Sequence, residues 1–128
     1  VLPRMKNDII EVMEACIDGK LDAIDLSFED NAAVCVVLAS EGYPVSYEKG
    51  FVIDGLEKFE GQDSYFCFHA GTKKTDQGIV TNGGRVLGIT AKGKDLKEAR
   101  ANAYEAAGWV NFENKYMRRD IGRAIDEA

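Results

Sequence analysis

The sequence predicts an α+β fold with a mostly antiparallel sheet and flanking helices. Three observations carry that expectation. Segments rich in β-preferring residues cluster over residues 32–93 and do not alternate regularly with helices. Short turns holding Gly, Asn or Asp separate them, which suits hairpins better than helical crossovers. Two stretches, one before the strands and one after, repeat their apolar residues with a helical period.

Residues 7–18, NDIIEVMEACID, form the first predicted helix. Asn7 or Asp8 can cap it, because a short side-chain oxygen accepts from the free N–H groups of a first turn. Ile9, Ile10, Met13 and Ile17 fall on one face, and Gly19 is placed to end the helix with positive φ. A polar connection runs to Asp30 and Asn31. Residues 32–40, AAVCVVLAS, are continuous and β-branched, the pattern of a strand buried on both faces. Residues 41–50 are a loop punctuated by Gly42, Pro44 and Gly50. Residues 51–53 make a short strand at best, and a turn-rich connection follows.

SYFCFHAG, residues 64–71, reads as a strand with aromatic residues on both sides. TKKTDQ (72–77) reads as a polar turn, after which GIVT (78–81) can return as a hairpin partner. RVLGITAKG (85–93) is a further strand, in which Gly88 marks a bulge or a close backbone approach. The clearest helix is residues 95–110, where Asp95 at the N-cap and Glu98 at N3 form a capping-box pair. Leu96, Ala99, Ala103, Ala107 and Val110 trace its apolar stripe, with Tyr104 beside it, and the alanines let it lie close to a sheet. A short strand over 111–116 and a terminal helix within 118–128 complete the order.

The 128 residues fit one compact domain. A net charge of −6 argues against a broad nucleic-acid surface and leaves room for a local basic pocket. The cysteine count is odd (Cys16, Cys35, Cys67) and no CxxC spacing occurs, so reduced thiols in a cytosolic setting are expected. Cys35 and Cys67 sit in apolar runs, where a thiol packs as a small hydrophobe. No run approaches membrane-spanning length and no signal-peptide pattern is present. The chain opens on Val1, and VLPRMKNDII reads as the entry to a helix, not as a natural terminus, so a processed product or a piece of a longer protein is expected.

Four segments concentrate chemistry. HAGTK (69–73) places His69, Gly71 and Lys73 at a strand end, where scaffolds present functional groups; a solvated hairpin end is the other reading. His69 lacks the second His or Cys pair that a metal site needs. TNGGRV (81–86) combines Asn82, Gly83 and Gly84, whose exposed N–H groups can meet an anion, with Arg85, whose fork matches phosphate or carboxylate. The same Asn-Gly pair is a hairpin signal, and neither a P-loop nor a GxGxxG pattern is present. In YMRRDIG (116–122), Arg118 and Arg119 precede a candidate helix N-terminus, a common anion site, or form a surface charge cluster capped by Asp120. YPVSYEKG (43–50) is either a cleft wall with Lys49 or a plain surface loop. No nucleophile elbow and no carboxylate pair in a shared environment emerges, so no catalytic residue is assigned to the chain itself.

Taken in order, AAVCVVLASEGYP, SYEKG, FHAGTK, IVTNGGRVLGITA, EARANAYEA and RRDIG resemble the C-terminal domain of the phosphoribosylamine–glycine ligase family, an ATP-grasp family. LPRMKNDI is similar to the stretch where that family's ATP-grasp core ends. The resemblance implies a small barrel-like β structure with helices. It divides the chain into 1–30, a remnant of the ATP-grasp domain, and 31–128, the C-terminal ligase domain. It also implies a parent that joins glycine to 5-phosphoribosylamine with ATP, giving glycinamide ribonucleotide, ADP and phosphate in de novo purine synthesis. ATP and Mg²⁺ (or Mn²⁺) would be held mainly by residues upstream of Val1, so the chain alone is expected to be inactive. Partners implied are those substrates and the missing ATP-grasp domain, with no nucleic acid and no membrane. Lys73, Arg85, Arg118 and Arg119 would face the substrate cleft, one or two of them on the ribose 5-phosphate, and analogy with related enzymes favours Arg118 and Arg119. His69, Asn82, Gly83 and Gly84 complete that expected substrate-binding set.

Two residues depart from the family pattern: Val45 where it has glycine, and Met117 where it has tyrosine. A stand-alone binding or carrier module without catalysis is the alternative. Lys73 and Lys74 after Gly71 suit a modified hairpin tip, but no EAMKM-like context surrounds them. A structural domain of a multifunctional purine enzyme is a third reading.

Overall fold

The computed structural model describes residues 1–125 and residue 127. The elements are α1 (Ile9–Ile17), β1 (Ala32–Ser40), β2 (Tyr65–His69), β3 (Thr72–Thr75), β4 (Gly78–Thr81), β5 (Arg85–Gly93), α2 (Leu96–Ala107) and β6 (Lys115–Tyr116), with short 3-10 turns between them. One antiparallel sheet has the order β2-β5-β1-β6, and β3 with β4 forms a separate hairpin. The expected α+β, antiparallel architecture is therefore present. The sheet stays open: β2 and β6 are its two edges, and no closed barrel forms among the described residues.

Pairing of β1 with β5 sets Val36 opposite Ile89 and Leu38 opposite Leu87. Side chains alternate along a strand, so these four residues share one face with Ala91, and all five are fully buried. Helix α2 covers that face with Ala99, Ala103, Ala106 and Ala107, also fully buried. At the end of β5 the two backbones nearly touch: a Cβ on Gly93 would lie 2.4 Å from the Ala99 nitrogen. Asp95 caps α2 by accepting from the Glu98 N–H at 2.8 Å, as its sequence predicts. At the other end the Lys115 ammonium donates to the carbonyls of Ala107 and Val110 at 2.6 and 2.7 Å. Each large side chain in this core contributes about 2–3 kcal/mol of transfer free energy.

The opposite face of the sheet is uncovered. Val37 is 43% exposed and Phe68 is 47% exposed. Cys35 is exposed as well. Burial of β1 on both faces is thus not found, because a single helix layer covers one side only. Gly88 lies in regular register opposite Val37. The bulge is elsewhere: Leu38 pairs with Leu87 but Ala39 pairs with Arg85, which leaves Val86 as the extra residue. That one-residue shift turns Arg85 onto the uncovered face.

Other expectations are corrected in the same way. TKKT is not a turn but the first strand of the β3–β4 hairpin, reversed at Asp76 and Gln77 ahead of Gly78 at φ +112°. In place of the terminal helix there is a 3-10 turn, Arg123–Ile125; residues 126 and 128 of that expected helix lie outside the described residues. Leu96, placed on the buried stripe by its spacing, is 48% exposed.

The N-terminal segment hangs from a narrow neck. The Lys6 N–H donates to the Ser27 carbonyl and the Glu29 N–H to the Arg4 carbonyl. The Arg4 guanidinium bonds the Glu29 carbonyl and the Asn31 side chain. Lys92 on β5 reaches both carboxylate oxygens of Glu29, at 3.0 and 3.2 Å, and this pairing holds the Glu29 pKa below its ordinary value. Beyond the neck, Asp8 caps α1 through the Ile10 N–H, and Gly19 ends it at φ +64°, both as expected. Its apolar stripe faces outward, however: Ile10 is 62%, Met13 57% and Ile17 84% exposed, while only Val12 and Ala15 are buried. No helix among the described residues is long and apolar enough to cross a membrane.

Candidate functional site

Two adjoining clefts lie on the uncovered side of the sheet. The larger, about 650 Å³, is lined by Val37, Tyr43, Phe68, His69, Ala70, Gly84, Arg85, Leu87 and Gly88. The smaller, about 240 Å³, is lined by Cys35, Val37, Ala39, Tyr43, Arg85, Tyr116, Met117, Arg118 and Ile121. Val37, Tyr43 and Arg85 line both, so the clefts are two lobes of one depression of a size that takes a small molecule. Among the described residues no carboxylate lines either lobe.

The walls are built by close backbone contact. The Gly71 N–H donates to the Arg85 carbonyl at 2.9 Å, and the Asn82 N–H donates to the Gly71 carbonyl at 2.7 Å. A Cβ on Gly71 would lie 2.7 Å from the Gly83 Cα, and one on Gly84 would lie 1.9 Å from the Tyr43 ring. Buried Ser40 ties the same loop to β1: its hydroxyl donates to the Gly83 carbonyl and its N–H to the Gly84 carbonyl. Asn82-Gly83 therefore does not make a hairpin turn. It links β4 to β5, which belong to different sheets, and neither Gly83 nor Gly84 takes positive φ. These glycines are required by proximity rather than by backbone dihedral.

The sequence-predicted residues divide into three groups. His69, Gly84 and Arg85 line the large lobe, and Arg118 with Arg85 lines the small one. Asn82 and Gly83 shape the loop behind them. The Nδ1 atom of His69 and the Thr72 hydroxyl are 3.0 Å apart. Arg119 lines neither lobe but a neighbouring cleft of about 400 Å³ beside Lys115, which shares Tyr116 and Met117 with the small lobe. Lys73 is exposed on the β3–β4 hairpin and lines none of these clefts. Four basic residues were expected to converge; the structure brings two of them together.

Those two differ in readiness. Arg118 is forked onto Asp120 at 2.6 and 2.9 Å, a hydrogen-bonded pair that raises the arginine pKa and lowers that of the carboxyl. Arg85 has no carboxylate partner among the described residues, so its guanidinium is the cation available to an incoming anion. Lys115 is committed to the end of α2, and burial followed by the nearby Arg119 charge lowers its pKa. Burial pushes the Cys67 thiol up to about 11, while Cys35 opens into the small lobe. No group of three or more His, Cys, Asp or Glu among the described residues is placed to hold a metal ion.

The residues missing from the predicted set are Val37, Phe68 and Tyr43. Tyr43 belongs to the loop singled out in the sequence; its signal is Gly84, which leaves room for the ring. The departures from the family pattern are benign locally. Val45 is 91% exposed with an ordinary φ, and the residue that needs to be glycine is Gly42, at φ +93°. Met117 packs against the core and lines the small lobe.

Comparison with known proteins bears on this arrangement. The family model described as "Phosphoribosylglycinamide synthetase, C domain" matches residues 33–124. A phosphoribosylamine–glycine ligase of Caldanaerobacter subterraneus subsp. tengcongensis is 49% identical over 121 residues, which is 94% of this chain and 28% of that protein. The corresponding protein of Rhodopirellula baltica is 44% identical over 122 residues, with the same two shares. The crystal structure of phosphoribosylamine–glycine ligase from Thermotoga maritima superposes with a TM-score of 0.67 at 36% identity, covering 86% of this chain and 27% of that one. The chain thus spans a little over a quarter of the length of these relatives. With the family model matching well over half of its residues, the chain belongs to the phosphoribosylglycinamide synthetase C-domain family.

Proposed function

We propose that the chain is the C-terminal part of a phosphoribosylamine–glycine ligase, and that its two-lobed depression holds the phosphate end of the phosphoribosyl substrate. The observation that carries the second half is Arg85, without a carboxylate partner among the described residues, at the rim shared by both lobes. Its planar fork suits a phosphate dianion, and no described residue sets a lining carboxylate against that anion. Val37, Tyr43 and Phe68 offer apolar surface to a ribose. Arg118 joins when the anion replaces Asp120 in its fork.

In the parent, glycine, 5-phosphoribosylamine and ATP give glycinamide ribonucleotide, ADP and phosphate, in the cytosol. ATP and its Mg²⁺ or Mn²⁺ belong to the upstream ATP-grasp part. The chain's own residues bind and orient the phosphorylated substrate, which lowers the entropic part of the barrier. Alone, it is inactive. Residues 1–30 are the end of the ATP-grasp part, and 31–128 the C-terminal domain. Supporting that division, the outward stripe of Ile10, Met13 and Ile17 lies beyond a neck that the Arg4, Glu29 and Lys92 contacts hold to the sheet.

Calorimetric titration with glycinamide ribonucleotide tests the site. Arg85→Ala should weaken binding about 10–100-fold, the size of a lost charge-assisted contact, and Arg118→Ala by less. ATP with Mg²⁺ should give no heat with this chain. Product binding that survives both substitutions, or ATP binding to the 128 residues, refutes the assignment.

A further inference from the structure

The segment that carries Arg118 contains little regular structure, yet it crosses the edge of the sheet to reach the small lobe. Its hold is on α2. The Tyr104 hydroxyl donates to the Arg118 carbonyl at 2.8 Å and accepts from the Ile121 N–H at 3.0 Å. One turn earlier, Arg100 Nε donates to the Ile121 carbonyl at 2.7 Å and its Nη2 to the Arg119 carbonyl at 3.3 Å. The guanidinium carbon also lies 5.1 Å from the Tyr104 ring centroid. Residues four apart on a helix share a face, so both side chains leave α2 on one side. Gly122 completes the fit: it has φ +70°, and a Cβ there would sit 3.4 Å from the Arg100 Cδ. The two side chains thus bind the backbone of Arg118, Arg119 and Ile121 and make no direct contribution to the cleft lining.

We infer that Tyr104 and Arg100 are positioning residues that clamp the 118–122 segment across the sheet edge and so set where Arg118 stands relative to Arg85. This rests on the proposed phosphate site and adds to it the device that aligns its second cation. Four backbone groups, on Arg118, Arg119 and Ile121, are fixed by side chains of one rigid helix. Loss of either side chain leaves Arg118 chemically intact and paired with Asp120 but free to shift. Misplacement of that kind weakens substrate binding without removing a charge.

The experiment uses the full-length ligase carrying Tyr104→Phe, Arg100→Gln, or Tyr104→Phe with Arg118→Ala. Tyr104→Phe keeps the ring and its packing while deleting both hydroxyl hydrogen bonds. It should speed amide exchange at Ile121 at least tenfold and raise KM for 5-phosphoribosylamine about tenfold, with kcat and the KM for ATP within about twofold. The double variant should show the KM of Arg118→Ala alone, since the clamp acts through that residue. An unchanged exchange rate overturns the clamp. Faster exchange with unchanged KM overturns its role at the site, as does an effect that adds in full to that of Arg118→Ala. Should Arg85→Ala and Arg118→Ala leave substrate binding unaltered, the phosphate site itself has failed, and the exchange data then separately decide whether the segment is held by α2.

Discussion

The two helices make opposite use of their apolar residues. Helix α1 carries Ile, Val and Met, yet its largest side chains point away from the protein, with Ile17 84% exposed. Helix α2 has little more than alanine on its apolar stripe, yet Ala99, Ala103, Ala106 and Ala107 are fully buried. The difference lies in what each helix faces. A continuous sheet surface formed by Val36, Leu38, Leu87, Ile89 and Ala91 lies beneath α2, and small side chains allow the two to close together. No such surface lies against α1. Apolar area stabilises only when a partner removes it from water, so the more hydrophobic helix contributes less to this fold.

Five substitutions would break or sharpen that contrast. The largest effect belongs to the surface beneath α2: Leu87→Ala should cost about 2–5 kcal/mol in a urea melt, because the packed sheet and helix cannot collapse into the gap. Next comes the C-terminal end of α2. Lys115→Met strands the Ala107 and Val110 carbonyls and should cost about 1–3 kcal/mol by the same measurement. The paired N-caps give a more direct comparison. Asp95→Ala should lower global stability by about 1 kcal/mol, whereas Asp8→Ala should fray α1 locally and leave the global melt in place. If both lower it equally, α1 is part of the cooperative unit and the contrast between the helices fails. The smallest effect is on the outward stripe. Ile17→Lys should change the stability of this chain by less than about 0.5 kcal/mol. Sedimentation should show less self-association in that variant, since a contiguous apolar patch is lost. In the full-length ligase the same substitution should be strongly destabilising.

The elements were easier to read than their environments. The limits of β1 match the apolar run 32–40, and those of β5 match RVLGITAKG, because β-branched runs end sharply at Gly, Ser and charged residues. The caps Asp8 and Asp95 and the stop at Gly19 were legible because capping depends on three or four neighbouring residues. The β3 strand reads as a turn from its sequence. TKKT carries no apolar pattern, and its pairing with GIVT comes from the hairpin geometry rather than from burial. At the candidate site, Arg85 was visible as a basic residue after two glycines, but the bulge at Val86 that turns it onto the open face depends on register with β1. Lys73 and Arg119 had the same local signal as Arg85 and Arg118, and they stand elsewhere.

By itself the sequence determined what is local: helix caps, strand limits, the α+β order, and the ordered motifs that place the chain in its family. Tertiary structure alone decided which face of the sheet is covered and which glycines are needed for close approach. It also decided which two of the four basic residues share a depression, and that Arg100 and Tyr104 hydrogen-bond the backbone of the segment that carries one of them. The physical reason is the range of the interactions. A cap or a hydrophobic period is satisfied within a few residues, whereas a cleft is the meeting of segments such as Tyr43, Gly84 and Arg118, whose proximity exists only once the strands have chosen their register.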